Sequence, residues 1–239
     1  MSATYTIRPL AVGFNETDQG ILTYQRFYGK RIILPIYVFA IMGGDKKIIV
    51  DTGVEDFIAP DNLEERTGFP VMQFEEALET IGWKPEDIDI VIHTHLHNDH
   101  CENDCLCSNA EVYVQKRELD FCMDPHPVDH RYYPDVLDGV NLKVIDGDTE
   151  IVEGIEVILT PGHTPGGQSV VVNTEKGKAV ITGLCCCAEN FPPSGNVILP
   201  GVLLNTIEAY DSMNRIRETA DIIIPVHELA IGKMTSIPE

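Results

Sequence analysis

From Val91 to His100 the chain reads Val-Ile-His-Thr-His-Leu-His-Asn-Asp-His, so an apolar run leads straight into four histidines and an aspartate. Neutral imidazole and carboxylate are borderline ligands suited to Zn²⁺ and also used by Fe and Mn, and a short loop at a strand end can aim several of them at one point. Along an extended segment His95 and His97 point to one side, while the following turn can carry Asp99 and His100 to a second point nearby. Such a pair of sites supports hydrolysis by metal-activated water. His93 stands one alternation step earlier and reads as a supporting or structural residue.

Two further histidines sit at similar places. His163 lies in Leu159-Thr-Pro-Gly-His-Thr-Pro-Gly-Gly-Gln-Ser169, and His227 ends Ile222-Ile-Ile-Pro-Val-His. Both follow apolar runs, and the Pro and Gly residues around His163 stop a strand and permit close backbone approach. A lone strand-end histidine is more often a hydrogen-bonded structural residue, but the four-histidine cluster makes ligation the better reading for both. Asp51, in Asp-Thr-Gly after Lys47–Val50, is placed to support a ligand from behind. His126 and His130 read as a surface loop or pocket rim.

The elements that must position these residues are mostly strands. Apolar, β-branched runs recur at 32–42, 47–50, 88–92, 111–114, 155–159, 169–172, 179–181 and 222–224. Phe74, Ala77, Leu78 and Ile81 follow the spacing of an amphipathic helix that Gly82 ends. A second helix is signalled by Asn205 as N-cap with Glu208 three residues on, its buried stripe expected along Ile207, Tyr210, Met213 and Ile216. The segments 121–135 and 191–204 are expected to be loops that supply pocket walls. Many strands with few helices point to an α/β protein of two packed sheets with helices outside.

With 239 residues, 44% of them hydrophobic, one large unit covering 1–239 is expected. Thirty-eight acidic against 17 basic residues give a formal charge of −21, which disfavours nucleic acid or an anionic membrane as partner. The N-terminal residues show no secretory pattern, and no stretch has the length of a membrane span, so a soluble cytoplasmic protein is expected. The seven cysteines cluster as Cys101, Cys105, Cys107 and Cys185, Cys186, Cys187 with Cys122 apart, unlike a disulfide framework. Small-residue packing is the expected role of the first three.

The motifs IIVDTG, HTHLHNDH, TPGHTPGGQS, ENF and PVHE, in this order, resemble the metallo-β-lactamase superfamily, and the stretch from Val144 through His163 to Phe191 is most similar to its N-acyl-homoserine lactone lactonases. The resemblance implies a four-layer αββα sandwich with its metal site at one edge of the sheets. It implies His95, His97 and His163 as ligands of one ion and Asp99, His100 and His227 as ligands of a second, with zinc the expected metal and Fe or Mn alternatives. It further implies a small-molecule acyl substrate, a possible homodimer, and hydrolysis of a lactone, ester or related compound by metal-bound hydroxide, Asp99 passing a proton to the leaving oxygen. The family usually carries a metal-bridging aspartate where this chain has Leu184 in Thr182-Gly-Leu-Cys-Cys-Cys. A Cys185 thiolate could substitute, the second site could be weak or empty, or the cysteines could be small core residues. The tyrosine that often follows in lactonases is replaced by Cys186 or Cys187. Thioester hydrolysis of the hydroxyacylglutathione hydrolase type, a diiron redox module and a metal-sensing module are the alternative readings.

Overall fold

The computed structural model describes residues 3–239. Its longest strand is β1 (Thr6–Asp18), which pairs antiparallel with β2 (Arg31–Met42) through a bulge between Ala11 and Gly13. The sequence pattern misses β1 because Arg8, Pro9, Gly13 and Asn15 interrupt its alternation; it is held as a strand by the apolar β2 beside it. Beyond them run β3 (Ile48–Val50), β4 (Ile90–Ile92), β5 (Glu111–Gln115) and β6 (Leu142–Ile145), giving a six-stranded sheet in sequential order whose members from β3 onward are parallel. The second sheet has the order β11-β10-β9-β8-β7, built from β7 (Thr149–Val152), β8 (Ile155–Leu159), β9 (Gln168–Thr174), β10 (Gly177–Ile181) and β11 (Ile222–Ile224). β6 and β7 were likewise absent from the sequence reading, being short and only half-buried.

Each sheet is apolar on both faces, which explains the uninterrupted runs. Ile7, Tyr37, Phe39, Ile41, Val50 and Ile92 of the first sheet meet Ile155, Val157, Val170, Val172 and Ile181 of the second. On the outer face of the first sheet, Val38, Ile49 and Val91 pack against Phe74, Ala77 and Leu78 of α2 (Phe74–Glu79); α1 (Leu63–Thr67) precedes it. On the outer face of the second, Ile158, Val171 and Val180 pack against α5 (Thr206–Thr219). Val170 and Val172 thus face inward and Val171 outward, as a period of two requires. The result is the expected four-layer αββα sandwich.

Helix α5 starts where expected, with the Asn205 side chain accepting from the backbone N–H groups of Ile207 and Glu208 at 3.1 Å each. Its buried stripe needs correction. Ile207 is 75% exposed and Tyr210 is also exposed, while Ala209, Met213 and Ile216 are buried. The cause is Gly162, where a Cβ would come within 2.2 Å of the Ala209 backbone nitrogen. So close an approach accepts alanine at the contact and turns the larger residues outward. The other departure is α4 (Lys116–Met123), whose C-terminal part lies where a loop was expected.

Candidate metal centre

The strands of both sheets end at one edge, and there the histidines meet. Beyond β4 the chain stays extended through His95 and His97, then folds into the single-turn α3 (Asn98–Cys101), so that Asp99 and His100 turn away from the preceding pair. The loop between β8 and β9 brings His163, and the segment after β11 brings His227. The ligand-type atoms of His95, His97 and His163 lie within 4.8 Å of one another, and those of Asp99, His100 and His227 do the same. The two triads adjoin, with the His95 and His100 ring centroids 4.1 Å apart. His95 is thus grouped with His97 and Asp99 with His100, as alternation and the following turn suggest.

Each ring has one nitrogen already engaged. His95 Nδ1 is 3.0 Å from Thr94 Oγ1, His97 Nε2 is 3.0 Å from Asp129 Oδ2, and His163 Nδ1 is 2.7 Å from the Val202 carbonyl. His100 Nδ1 is 2.7 Å from Asp51 Oδ2, and His227 Nδ1 is 2.8 Å from the Pro35 carbonyl. The opposite nitrogens of His95, His100 and His227 are buried without any hydrogen-bond partner. An unsatisfied buried polar atom costs about 1–3 kcal/mol, so three such atoms, one in the first triad and two in the second, fit cations that accept their lone pairs. Tied outer nitrogens and free inner ones are the usual arrangement of metal-ligating imidazoles.

The electrostatics agree. Burial, with the neighbouring histidines, pushes His95 and His163 well below the ordinary imidazole pKa, and burial with His100 lowers His227 to about 4. These rings are neutral and hold available lone pairs. Burial acts the same way on His100, but Asp99 and Asp51 outweigh it and raise its pKa, so a cation arriving there displaces a proton. Burial would raise the Asp51 carboxyl, yet His100 and His93 hold it well below the usual range. His93 lies behind the site with Nε2 2.8 Å from Asp104 Oδ2, and the carboxylates of Asp104 and Asp51 overcome burial to raise it to about 10. Asp51 itself takes a positive φ of 61° and also accepts from the Thr94 N–H at 2.7 Å, fixing the turn before the histidine loop.

Three residues carry the site without any signal in the sequence. Glu118 of α4, fully buried, accepts from the N–H of Leu96 (3.0 Å), the N–H of Gly166 (2.9 Å) and the hydroxyl of Tyr132 (2.8 Å), tying both histidine loops to one carboxylate. Gly166 is required there, since a Cβ would come within 2.2 Å of the Glu118 nitrogen. Asp129 orients His97, and Arg131 in turn grips Asp129 through Nε (2.7 Å) and Nη2 (2.6 Å). Only an acidic residue near a basic one marks the last pair, a pattern too common to interpret.

The triads lie at the bottom of a cavity of about 780 Å³. Its walls include Val128, His130 and Arg131 from the first expected wall segment and Val202 from the second; Phe14, Thr17 and Leu34 of the β1–β2 hairpin form a wall that had not been anticipated. His130 is exposed on this wall, whereas His126 is exposed away from it. Leu184 is buried with Ile158, Val171 and Met213 in the outer apolar layer and offers nothing to the triads. Cys185 lines the cavity and interacts electrostatically with Asp99, and burial pushes its thiol up. Cys101 and Cys107 are packed in apolar clusters as expected, while Cys105 is exposed. No described helix is long and apolar enough to cross a membrane.

Comparison with known proteins reaches the same place. The metallo-beta-lactamase superfamily matches residues 32–183, a span that includes Asp51, the first histidine loop and His163. An N-acyl homoserine lactonase of Bacillus cereus is 34% identical over 164 residues, covering 64% of this chain and 64% of that protein. The chain thus spans 64% of the length of the Bacillus lactonases it matches. A probable metallo-hydrolase of Methanocaldococcus jannaschii is 29% identical over 189 residues, 78% of this chain and 73% of that protein. The structure of an N-acyl homoserine lactone hydrolase, with the product N-hexanoyl-L-homoserine at its catalytic metal center, superposes with a TM-score of 0.78 at 25% identity, covering 100% of this chain and 99% of that one. This chain belongs to the metallo-β-lactamase superfamily.

Proposed function

We propose that residues 1–239 form one catalytic unit, a metal-dependent hydrolase of lactones, esters or related acyl compounds, with N-acyl homoserine lactones the first class to test. The observation that carries this reading is the pair of adjoining triads, His95, His97, His163 and Asp99, His100, His227, each with its ligand-type atoms within 4.8 Å of one another, and the unpartnered buried Nε2 atoms of His95, His100 and His227. The lactonase relatives support the substrate class. Imidazole with one carboxylate suits zinc, with Fe or Mn accommodated by the same donors. A divalent ion held by these residues would supply Lewis acidity and make water a nucleophile near neutral pH.

The chain's own residues do the rest. Asp99 Oδ2 lies 3.5 Å from His100 Nε2 and 4.0 Å from His227 Nε2, yet its side chain is 28% exposed to the cavity. One oxygen therefore serves the triad while the other can receive a proton and return it to the leaving oxygen. The Val202 and Pro35 carbonyls, Asp51 and Asp129 keep the rings from turning as charge develops. Cys185, beside Asp99, is the thiol available to complete the second triad, where Leu184 offers no carboxylate. A cobalt-substituted protein tests this: an intense thiolate-to-cobalt band that Cys185→Ser abolishes supports ligation, and its absence in the parent protein assigns Cys185 to the wall alone.

The test of the function is elemental analysis with hydrolysis of N-hexanoyl homoserine lactone. The expected result is ring opening that a chelator stops and zinc restores. Metal-replete protein that opens neither lactones nor simple esters would overturn the reading.

A further inference from the structure

Arg131 is the one lysine or arginine among the residues lining the cavity. Its position is fixed twice. The backbone carbonyl accepts from the Asn98 N–H at 2.9 Å, which pins it to the start of α3, and the side chain forms a two-point fork with Asp129 through Nε and Nη2. That fork occupies the side edge of the guanidinium. The end edge, one N–H from each η nitrogen, remains, and no acceptor among the described residues engages Nη1. The side chain is 28% exposed, and its charge is felt by His95, His97, His163, Asp99 and Cys185, so it stands beside both triads.

The guanidinium that steadies Asp129 thus also lines the cavity with donor capacity to spare. Of the carboxylates lining the cavity, Asp129 takes the fork, Glu102 is occupied by the Asn98 amide and the Glu55 N–H, and Asp99 acts on Arg131 electrostatically without a hydrogen bond to it. Guanidinium pairs two oxygens at once in a plane, which makes it selective for carboxylate rather than for a neutral carbonyl.

We infer that Arg131 is a specificity-determining residue that takes a carboxylate of the substrate end-on while the scissile acyl group lies over the triads, so that the preferred substrates are lactones or esters carrying an additional carboxylate. This rests on the hydrolase reading, and the test separates the two. Binding is measured by calorimetry on the metal-loaded protein with glutarate and with glutaramate, which keeps one carboxylate and replaces the other by an amide; neither is turned over. Wild type is expected to bind glutarate about 10- to 100-fold tighter than glutaramate, the worth of one charge-assisted pair. Arg131→Gln, compared with wild type after both are loaded to equal metal content, should erase the preference, and Arg131→Lys should restore part of it. No preference in wild type, or a preference that survives Arg131→Gln, overturns the assignment whether or not lactones are hydrolysed. Kinetics give a second readout: whatever Arg131→Gln costs both substrates by freeing Asp129, it should lower kcat/KM for a carboxylate-bearing ester about 10- to 100-fold more than for its neutral amide counterpart. An equal loss on both would make Arg131 a positioning residue acting through Asp129 and His97.

Discussion

The triad of His95, His97 and His163 consists of three buried imidazoles, whereas that of Asp99, His100 and His227 joins two buried imidazoles to a partly exposed carboxylate. The first is held by Thr94, Asp129 and the Val202 carbonyl, and its loops are cross-braced by Glu118. The second depends on Asp51 behind His100 and on a His100 ring whose pKa is raised by flanking carboxylates, so protons compete with the cation there. This difference supports the proposal that the first triad anchors an ion and the second takes part in turnover.

The sharpest way to break this comparison is to remove an anchor ligand. His163→Ala should release metal from the first triad and lower lactone hydrolysis by about 10³-fold, the scale of several kcal/mol of lost charge stabilisation; elemental analysis and initial rates measure both, and full metal with full rate would end the assignment. Asp99→Asn should cost about 10²–10⁴-fold in kcat if it moves the proton, while the first triad keeps its ion. Retained activity at unchanged metal content would remove Asp99 from proton transfer.

Smaller changes separate the two supports. Asp51→Asn should weaken the second triad and Asp129→Asn the first, each by about 10–100-fold in metal affinity, so competitive chelation on the two variants ought to report different ions lost. The same ion lost in both would mean that the triads do not bind independently. Glu118→Gln keeps the shape but removes the charge shared by three donors. We expect a stability loss of about 1–3 kcal/mol in denaturant unfolding, with fast exchange appearing at the amides of Leu96 and Gly166. An unchanged midpoint would show that the loops do not need this carboxylate.

Much of the candidate site could be read in advance because each of its three histidine-bearing segments follows an apolar run. The Ile-Val-Ile before the first histidine loop and the Ile-Ile-Ile before His227 announce strands without reference to any partner, and a strand must end at a sheet edge. The β1–β2 hairpin wall and the rotation of α5 were hidden because neither follows from local pattern: β1 is irregular by itself, and the orientation of α5 is set by contact between Ala209 and Gly162. Glu118 was hidden for the same reason, an acidic residue in a polar helix being unremarkable until its carboxylate is seen between two loops.

The sequence by itself determined the donor chemistry, the strand ends that carry it and the division of the first loop into two pairs, since alternation and a following turn act over a few residues. Only the tertiary structure decided which carbonyls and carboxylates hold the outer nitrogens, that Leu184 faces an apolar layer, and that Arg131 lines the cavity while holding Asp129. Those outcomes depend on segments far apart in the chain being packed at fixed distances, and packing is a property of the whole fold rather than of any window along it.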